Sequence, residues 1–230
     1  MKLLALDSSS IVATVAVVDQ DKVIGEMIIN HKKNHSQKLM PLLRQLLDEV
    51  EIKFKDIDAF GVSIGPGSFT GIRIGLSAMK ALAHIDNKPL IGVSTLEGLA
   101  FNLPNSKGII CPILDAQREQ IYTGLYKWED NQMFSIVEDQ AISAMEWIEV
   151  LKKRPESIQL VGDGIKKFAP IFKENLGHKI SLAPIISQMP RASSIANLAL
   201  EKFLKGEKGD YKSIVPHYIR KSQAEQKFGV

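Results

Sequence analysis

Apolar residues recur along this chain in two rhythms. Residues 3–6, 12–18 and 23–29 are short runs rich in Val, Ile and Leu. Asp7 with three serines bounds the first, and Asp19-Gln20-Asp21-Lys22 separates the second from the third. Runs of that length between turn residues predict strands, and three in succession predict a meander. The rhythm then changes. Leu39, Leu43, Leu46, Leu47 and Val50 fall at helical spacing, behind Asn34 as N-cap and Gln37 in the capping-box position. Beyond it the sequence predicts a strand over 58–64, a loop over 65–70, a helix over 71–84 and a buried strand over 89–93. Ser94 and Glu97 form a capping box for a third helix that ends near Pro104.

The second half repeats this order. Residues 109–114 are an apolar strand ending at Asp115, followed by strands over 121–126 and 133–137 around the acidic turn Glu129-Asp130-Asn131-Gln132. Ser143 and Glu146 open a helix to about Arg154; a strand over 158–161, the turn Gly162-Asp163-Gly164 and a helix follow. A last helix spans 193–204 and stops at Gly206. Asp7 and Asp115 occupy matching places in a duplicated βββαβα unit. That duplication is the plan of the actin, hexokinase and Hsp70 class, so the pattern predicts a two-lobed, actin-like (ASKHA) α/β fold. The lobes are expected over 1–105 and 106–230, with the last ~15 residues packing back on the N-terminal lobe.

Composition narrows the function classes. A chain of 230 residues buries roughly 70–75% of the surface its unfolded form exposes, so its core needs no staples. Cys111 is the one cysteine, which excludes an internal disulfide framework and fits a reducing compartment, hence the cytoplasm. Residues 1–6 imitate the start of a signal peptide, but Asp7 breaks the apolar run too early. No stretch approaches the ~20 apolar residues of a membrane span. Net charge is +3, too weak by itself to argue nucleic-acid binding. From Glu201 onward, however, seven Lys/Arg face four acids. Aromatic residues are 7% of the chain and form no stacking motif, which argues against a stand-alone RNA-binding protein.

The sharpest segment is Gly65-Pro66-Gly67-Ser68-Phe69-Thr70-Gly71, between a strand and a helix. Such a loop presents free N–H groups and the positive end of a helix dipole, and so can hold an anion. It lacks the Lys-Ser/Thr of a Walker loop and the third glycine of a dinucleotide loop. It is either a self-satisfied turn or a phosphate loop. The Asp7-Ser8-Ser9 turn resembles the first phosphate loop of actin-like ATPases with serines in place of glycine; Asp7 either holds a metal or caps the turn. Asp7, Ser8, Ser9, Gly65, Gly67 and Ser68 are thus candidate vestigial phosphate-loop residues. No HExxH motif and no nucleophile elbow is present.

The helix after the glycine loop carries Gly71, Gly75 and Ala78 along one line. Each interior glycine costs about 1 kcal/mol against alanine, which is tolerated where another backbone comes close, from this chain or another. Helix 39–50 has apolar residues on more than one face, Met40 and Leu42 beside Leu39 and Leu43. Surplus apolar surface on two helices points to an interface. The expected contact residues are Leu39, Met40, Leu43, Gly71, Gly75, Ala78, Met79 and Leu82. On this expectation Gly75→Leu leaves the fold intact and abolishes association.

Several of these segments together resemble one family. Leu4-Ala5-Leu6-Asp7-Ser8-Ser9, His35-Ser36-Gln37, the block from Gly65 to Gly75, Gly92-Val93-Ser94-Thr95-Leu96-Glu97, Leu114-Asp115-Ala116-Gln117-Arg118 through Tyr122, and Pro216-His217-Tyr218-Ile219-Arg220 closely resemble the bacterial TsaB family, also called YeaZ. The likeness runs nearly end to end. It implies an actin-like fold with no catalytic activity or cofactor of its own. It also implies a complex with the larger homologue TsaD, which transfers threonylcarbamoyl to adenosine in tRNA, and with the small ATPase TsaE. On this reading tRNA is met only through the complex, and the isolated chain pairs with itself.

TsaD-type proteins carry two metal-binding histidines, four apart, where Thr95 and Leu99 stand here. An alcohol and an alkyl chain cannot replace two imidazoles, so no metal site is expected, and Glu97 needs no role beyond its cap. Two departures from the family are small: Asp-Ser-Ser for Asp-Thr-Ser or Asp-Thr-Ala in the first turn, and Gln117 inserted before Arg118 in an Asp-Ala-Arg loop. The competing readings are an actin-like small-molecule kinase or ATPase, and a metallopeptidase-like protein.

Overall fold

The fold follows from a computed structural model, which describes residues 1–31, 35–207 and 209–220, with side chains except those of 35–37. The N-cap expected at Asn34 and the partner role of Gln37 lie outside this description. Two compact units emerge: Met1–Gly98 with Pro190–His217, and Leu99–Met189 with Tyr218–Val230.

The first unit is built on β1 (Leu3–Asp7), β2 (Val12–Val18), β3 (Val23–Asn30), β4 (Ala59–Gly65) and β5 (Leu90–Ser94), in the order β3-β2-β1-β4-β5. β1 pairs antiparallel with β2, from Leu3 opposite Val18 to Asp7 opposite Thr14, and parallel with β4. β1 and β2 are buried on both faces, which explains why they read as continuous apolar runs instead of alternating ones. Helices α1 (His35–Glu49) and α2 (Phe69–Ile85) supply Leu39, Leu42, Leu43, Leu46, Leu76 and Met79 to a core with Leu4, Leu6, Val15 and Val62. Helix α3 (Thr95–Phe101) follows β5.

The second unit repeats the plan with β6 (Ile109–Asp115), β7 (Gln120–Glu129), β8 (Gln132–Ser143), β9 (Ile158–Val161) and β10 (Ile180–Leu182), in the order β10-β9-β6-β7-β8. The order read from the other end is that of the first sheet with five added to each number, and the parallel and antiparallel pairings correspond. Helices α4 (Ala144–Lys152) and α5 (Ile165–Leu176) pack Trp147, Ile148, Phe168 and Phe172 onto Ile109, Cys111 and Ile113. β10 carries no pattern of its own and is absent from the sequence expectation; its three residues are held by parallel pairing to β9. The duplication extends to side chains. Lys88, just before β5, donates to the Phe54 and Lys55 carbonyls. Lys179, just before β10, donates to the carbonyls of Leu151, Lys152 and Arg154.

The lobe boundary drawn from sequence at 105/106 differs from this grouping. Helix α6 (Ala192–Leu204) packs on β1, β2, β4 and β5 of the first unit, where a Cβ on Gly61 would lie 2.9 Å from the Ala199 Cβ. The first turn of α6 is satisfied from the sheet. Thr14 Oγ1 on β2 accepts the Ala192 N–H at 3.2 Å. Glu26 on β3 accepts the Ser193 N–H at 2.9 Å and the Ser193 hydroxyl at 2.8 Å, and also pairs with Arg191. The chain then runs along the outer edge of β5. Leu90 N–H donates to the Gly209 carbonyl at 3.2 Å, and His217 N–H to that of Ile64 at 2.8 Å. The first of these bonds answers one amide of edge strand β5, and the second ties the chain to the end of β4. Of the last ~15 residues, His217 thus reaches the first unit, whereas Arg220 donates to the Ala116 carbonyl of the second; 221–230 lie outside the described residues.

Candidate functional site

The two candidate phosphate loops meet and occupy each other. Asp7 Oδ1 accepts the Ser9 N–H and the Ser9 hydroxyl, both at 2.7 Å, so the carboxylate caps its own turn. The Ser9 carbonyl accepts the Ser68 N–H at 2.7 Å. Ser68 N-caps α2, its hydroxyl accepting the Gly71 N–H at 3.2 Å, and the Ser8 hydroxyl donates to the Gly71 carbonyl at 2.9 Å. Gly67, at φ 155, passes so near that a Cβ there would lie 2.4 Å from the Ser9 carbonyl oxygen; one on Gly71 would lie 2.0 Å from that of Ser8. The Ser68 and Gly71 amides, which a phosphate would need, already have partners within the chain. These contacts join the two loops into one hydrogen-bonded turn at the start of α2.

The expected interface residues divide into two groups. Leu39, Leu43 and Met79 are buried in the core of the first unit. Gly71 and Gly75 are buried as well, and a Cβ on Gly75 would lie 2.3 Å from Ser8 Oγ and 2.7 Å from Leu6 Cδ2. The glycines therefore serve an internal approach of α2 to the end of β1, and the inference from them to another chain is corrected. The sequence could not separate the two cases, because both demand a missing Cβ. Met40 is exposed, while Ala78 and Leu82 are half-buried. Ile74, Ala78 and Leu82 form a half-buried apolar strip along α2, continued by exposed Ile85 and bordered by exposed Arg73, Ser77 and Ala81; Ile74 and Leu82 also pack against the core.

At the positions of the missing metal ligands, Thr95 is buried with its hydroxyl 2.7 Å from that of Ser63, and Leu99 is fully buried. Ser94 accepts the Leu96 and Glu97 N–H groups, as its capping role requires. Glu97 does more than sequence suggested: its carboxylate pairs with Lys202 Nζ at 2.8 Å, tying α3 to α6. Among the described residues, no three His, Cys, Asp or Glu side chains are grouped to hold a metal.

In the second unit, Asp115 ends β6 as Asp7 ends β1. Lys167 Nζ on α5 lies 3.1 Å from both of its carboxylate oxygens. The Asp163 carboxyl nearby is held above the usual carboxylate range, first by loss of solvation and then by the Asp115 charge. Burial raises the Tyr122 hydroxyl, with Arg220 opposing. Between β6 and β7, Gln117, Arg118 and Glu119 take φ of 63, 51 and 61°. For residues other than glycine this left-handed conformation costs roughly 1–2 kcal/mol each.

Cys111 is a core residue, its sulfur accepting the Trp147 Nε1–H at 3.3 Å and lying 3.4 Å from Thr123 Oγ1. Desolvation pushes the thiol up to about 11, against 9.0 for an exposed one, although both hydrogen bonds oppose the rise. The native state then holds a proton that the unfolded chain releases between those values. Stability is therefore expected to fall as pH rises from 9 toward 11. At pH 8 a chromogenic disulfide reagent should modify Cys111 only at the rate of structural opening, at least about 100-fold slower than in denaturant. Modification of folded protein at the model-thiol rate would contradict this burial.

The duplicated sheets, the helices packed on them and the aspartate at each first-strand end define the chain as a two-lobed, actin-like α/β protein. ROK hexokinase from Thermus thermophilus shares the fold, with TM-score 0.53 and 10% identity over 90% of this chain and 100% of that one. YeaZ from Pseudomonas aeruginosa matches with TM-score 0.78 and 23% identity over 94% and 99% of the two chains. The family model for TsaD, tRNA N6-adenosine threonylcarbamoyltransferase, matches residues 22–228. The tRNA threonylcarbamoyladenosine biosynthesis protein TsaB of Bacillus subtilis (strain 168) is 36% identical over 228 residues, 99% of this chain and 98% of that protein. The chain belongs to the TsaB (YeaZ) family, and its role lies in tRNA threonylcarbamoyladenosine biosynthesis. No helix among the described residues is long and apolar enough to cross a membrane.

Proposed function

We propose that this chain is a non-catalytic cytoplasmic subunit that binds a TsaD-type transferase and sustains its activity on tRNA. The observation that carries this reading is the filling of the metal-ligand positions. Thr95 is bonded to Ser63 inside the core and Leu99 is buried apolar packing, so neither can bring a metal to a substrate. The occupied amides of the glycine loop point the same way. The outward faces of α1 and α2, with Met40, Ile74, Ala78, Leu82 and Ile85, are the surface proposed to meet the partner, and to pair with a second copy when the partner is absent. A TsaE-type ATPase joins the assembled complex.

Reconstitution tests this. The chain alone should transfer no threonylcarbamoyl to tRNA, and adding it to a TsaD-type partner with the TsaE-type ATPase should raise transfer at least about tenfold. Transfer by the isolated chain, or no effect on the partner, would overturn the proposal. Met40→Glu with Ala78→Arg should keep the far-ultraviolet circular dichroism of the parent and weaken both partner capture and self-association about 100-fold, since charge would enter an apolar contact. Capture at parental strength would place the interface elsewhere.

A further inference from the structure

The β6–β7 connection adopts a conformation its residues disfavour. Gln117, Arg118 and Glu119 are successive non-glycine residues in the left-handed region, where glycine or asparagine would sit with less strain. The turn is held from several sides. Asp115 Oδ1 accepts the Gln117 N–H at 2.9 Å, and Lys167 secures that carboxylate. Gln120 N–H donates to the Gln117 carbonyl at 3.1 Å, and Ala116 N–H to that of Gln120 at 3.0 Å. From the far end of the chain, Arg220 Nη1 donates to the Ala116 carbonyl at 2.7 Å. Strain kept in place by surrounding bonds marks residues whose side chains are needed where they stand. A turn that only reversed the chain would not require three long polar side chains, and all three are exposed.

We infer that this turn is an RNA-phosphate contact, with Arg118 as the binding residue and Arg220 as the residue that positions the turn behind it. The inference rests on the proposed role in a complex acting on tRNA. A guanidinium suits a phosphodiester through paired N–H donors. The charges around the turn favour an anion by a small margin: Arg118, Lys166, Lys167 and Arg220 against Asp115, Glu119 and Asp163. Lys167 is paired with Asp115. The Glu119 charge opposes an anion at this turn.

The test uses the complex of the full chain with its TsaD-type partner and an unmodified, fluorescently labelled tRNA transcript, followed by anisotropy over a salt series. Arg118→Ala should weaken binding about tenfold near physiological salt and lower the slope of log affinity against log salt by about one. Arg118→Lys should restore most of the slope, and Glu119→Gln should bind at least as tightly as the parent. Arg220→Ala should weaken binding with a lesser change in slope, because it acts through the turn. Unchanged affinity and slope in Arg118→Ala would overturn the inference. So would loss of partner capture in that variant, which would make the turn a protein contact. Partner capture and transfer by the parent chain, measured in the same samples, report on the proposed function separately; a parent that captures no partner sinks both.

Discussion

Gly75→Leu is expected to unfold the first unit. The Gly75 site has no room even for a methyl group, since its Cβ would lie 2.3 Å from Ser8 Oγ and 2.7 Å from Leu6 Cδ2. Both obstacles are side-chain atoms, but Leu6 is fully buried within the core of the first unit, which leaves its terminal methyl little space to yield. A leucine would force α2 off the sheet. Overpacking by a few methylenes already costs about 1–3 kcal/mol, and displacing a core helix forfeits the burial of Leu76 and Met79 as well, at roughly 2–3 kcal/mol each. The sum approaches the whole stability of a domain, about 5–15 kcal/mol. Loss of cooperative unfolding in circular dichroism, or expression only as insoluble protein, is the expected result. Gly75→Ala should be folded and destabilised, and Ser8→Gly should recover part of that loss by removing the opposing oxygen, less the cost of the Ser8–Gly71 bond. A Gly75→Leu protein melting with the parent would show that α2 is not seated against β1 as described.

Glu26→Ala should lower the melting temperature by about 6–12 °C. The Glu26 side chain is 8% exposed, and it meets the Arg191 guanidinium, the Ser193 amide and the Ser193 hydroxyl together. Its removal orphans a helix N–H and leaves a cation partly buried, a loss of about 3 kcal/mol once the partial exposure of Arg191 is allowed for. A chain of this size loses about 2–4 °C per kcal/mol. Glu26→Gln keeps an acceptor for Ser193 and should cost about a third as much. A scan of both variants by circular dichroism separates the terms: equal melting of Glu26→Ala and the parent would mean that α6 is capped by other means.

Most elements were legible because their signals are local. The buried strands β1, β2 and β6 announce themselves as Val/Ile/Leu runs, and α4 by its Ser143–Glu146 cap, which forms with the Glu146 N–H donating to Ser143 Oγ at 3.2 Å. The duplicated order of strands and helices was readable for the same reason, and with it the fold class. The lack of imidazoles at positions 95 and 99 was readable as well. These are properties of side chains and their spacing, and no later packing can change them.

Tertiary structure decided what depends on which backbone arrives beside a residue. The glycines of α2 look the same in sequence whether the neighbour is another chain or β1, and only the approach of Ser8 and Leu6 settles it. Helix α6 follows the second sheet in the chain yet packs on the first, where it buries Ile195, Leu198, Ala199 and Leu200 and where Thr14 and Glu26, far away in sequence, answer its first turn. β10, too short to carry a pattern, exists through its pairing with β9. The strained turn at Arg118 is invisible in sequence, since nothing in Gln-Arg-Glu favours the left-handed region; Asp115, Lys167 and Arg220 hold it there. Local composition sets which elements form, and distant partners set where their polar groups and missing side chains are answered.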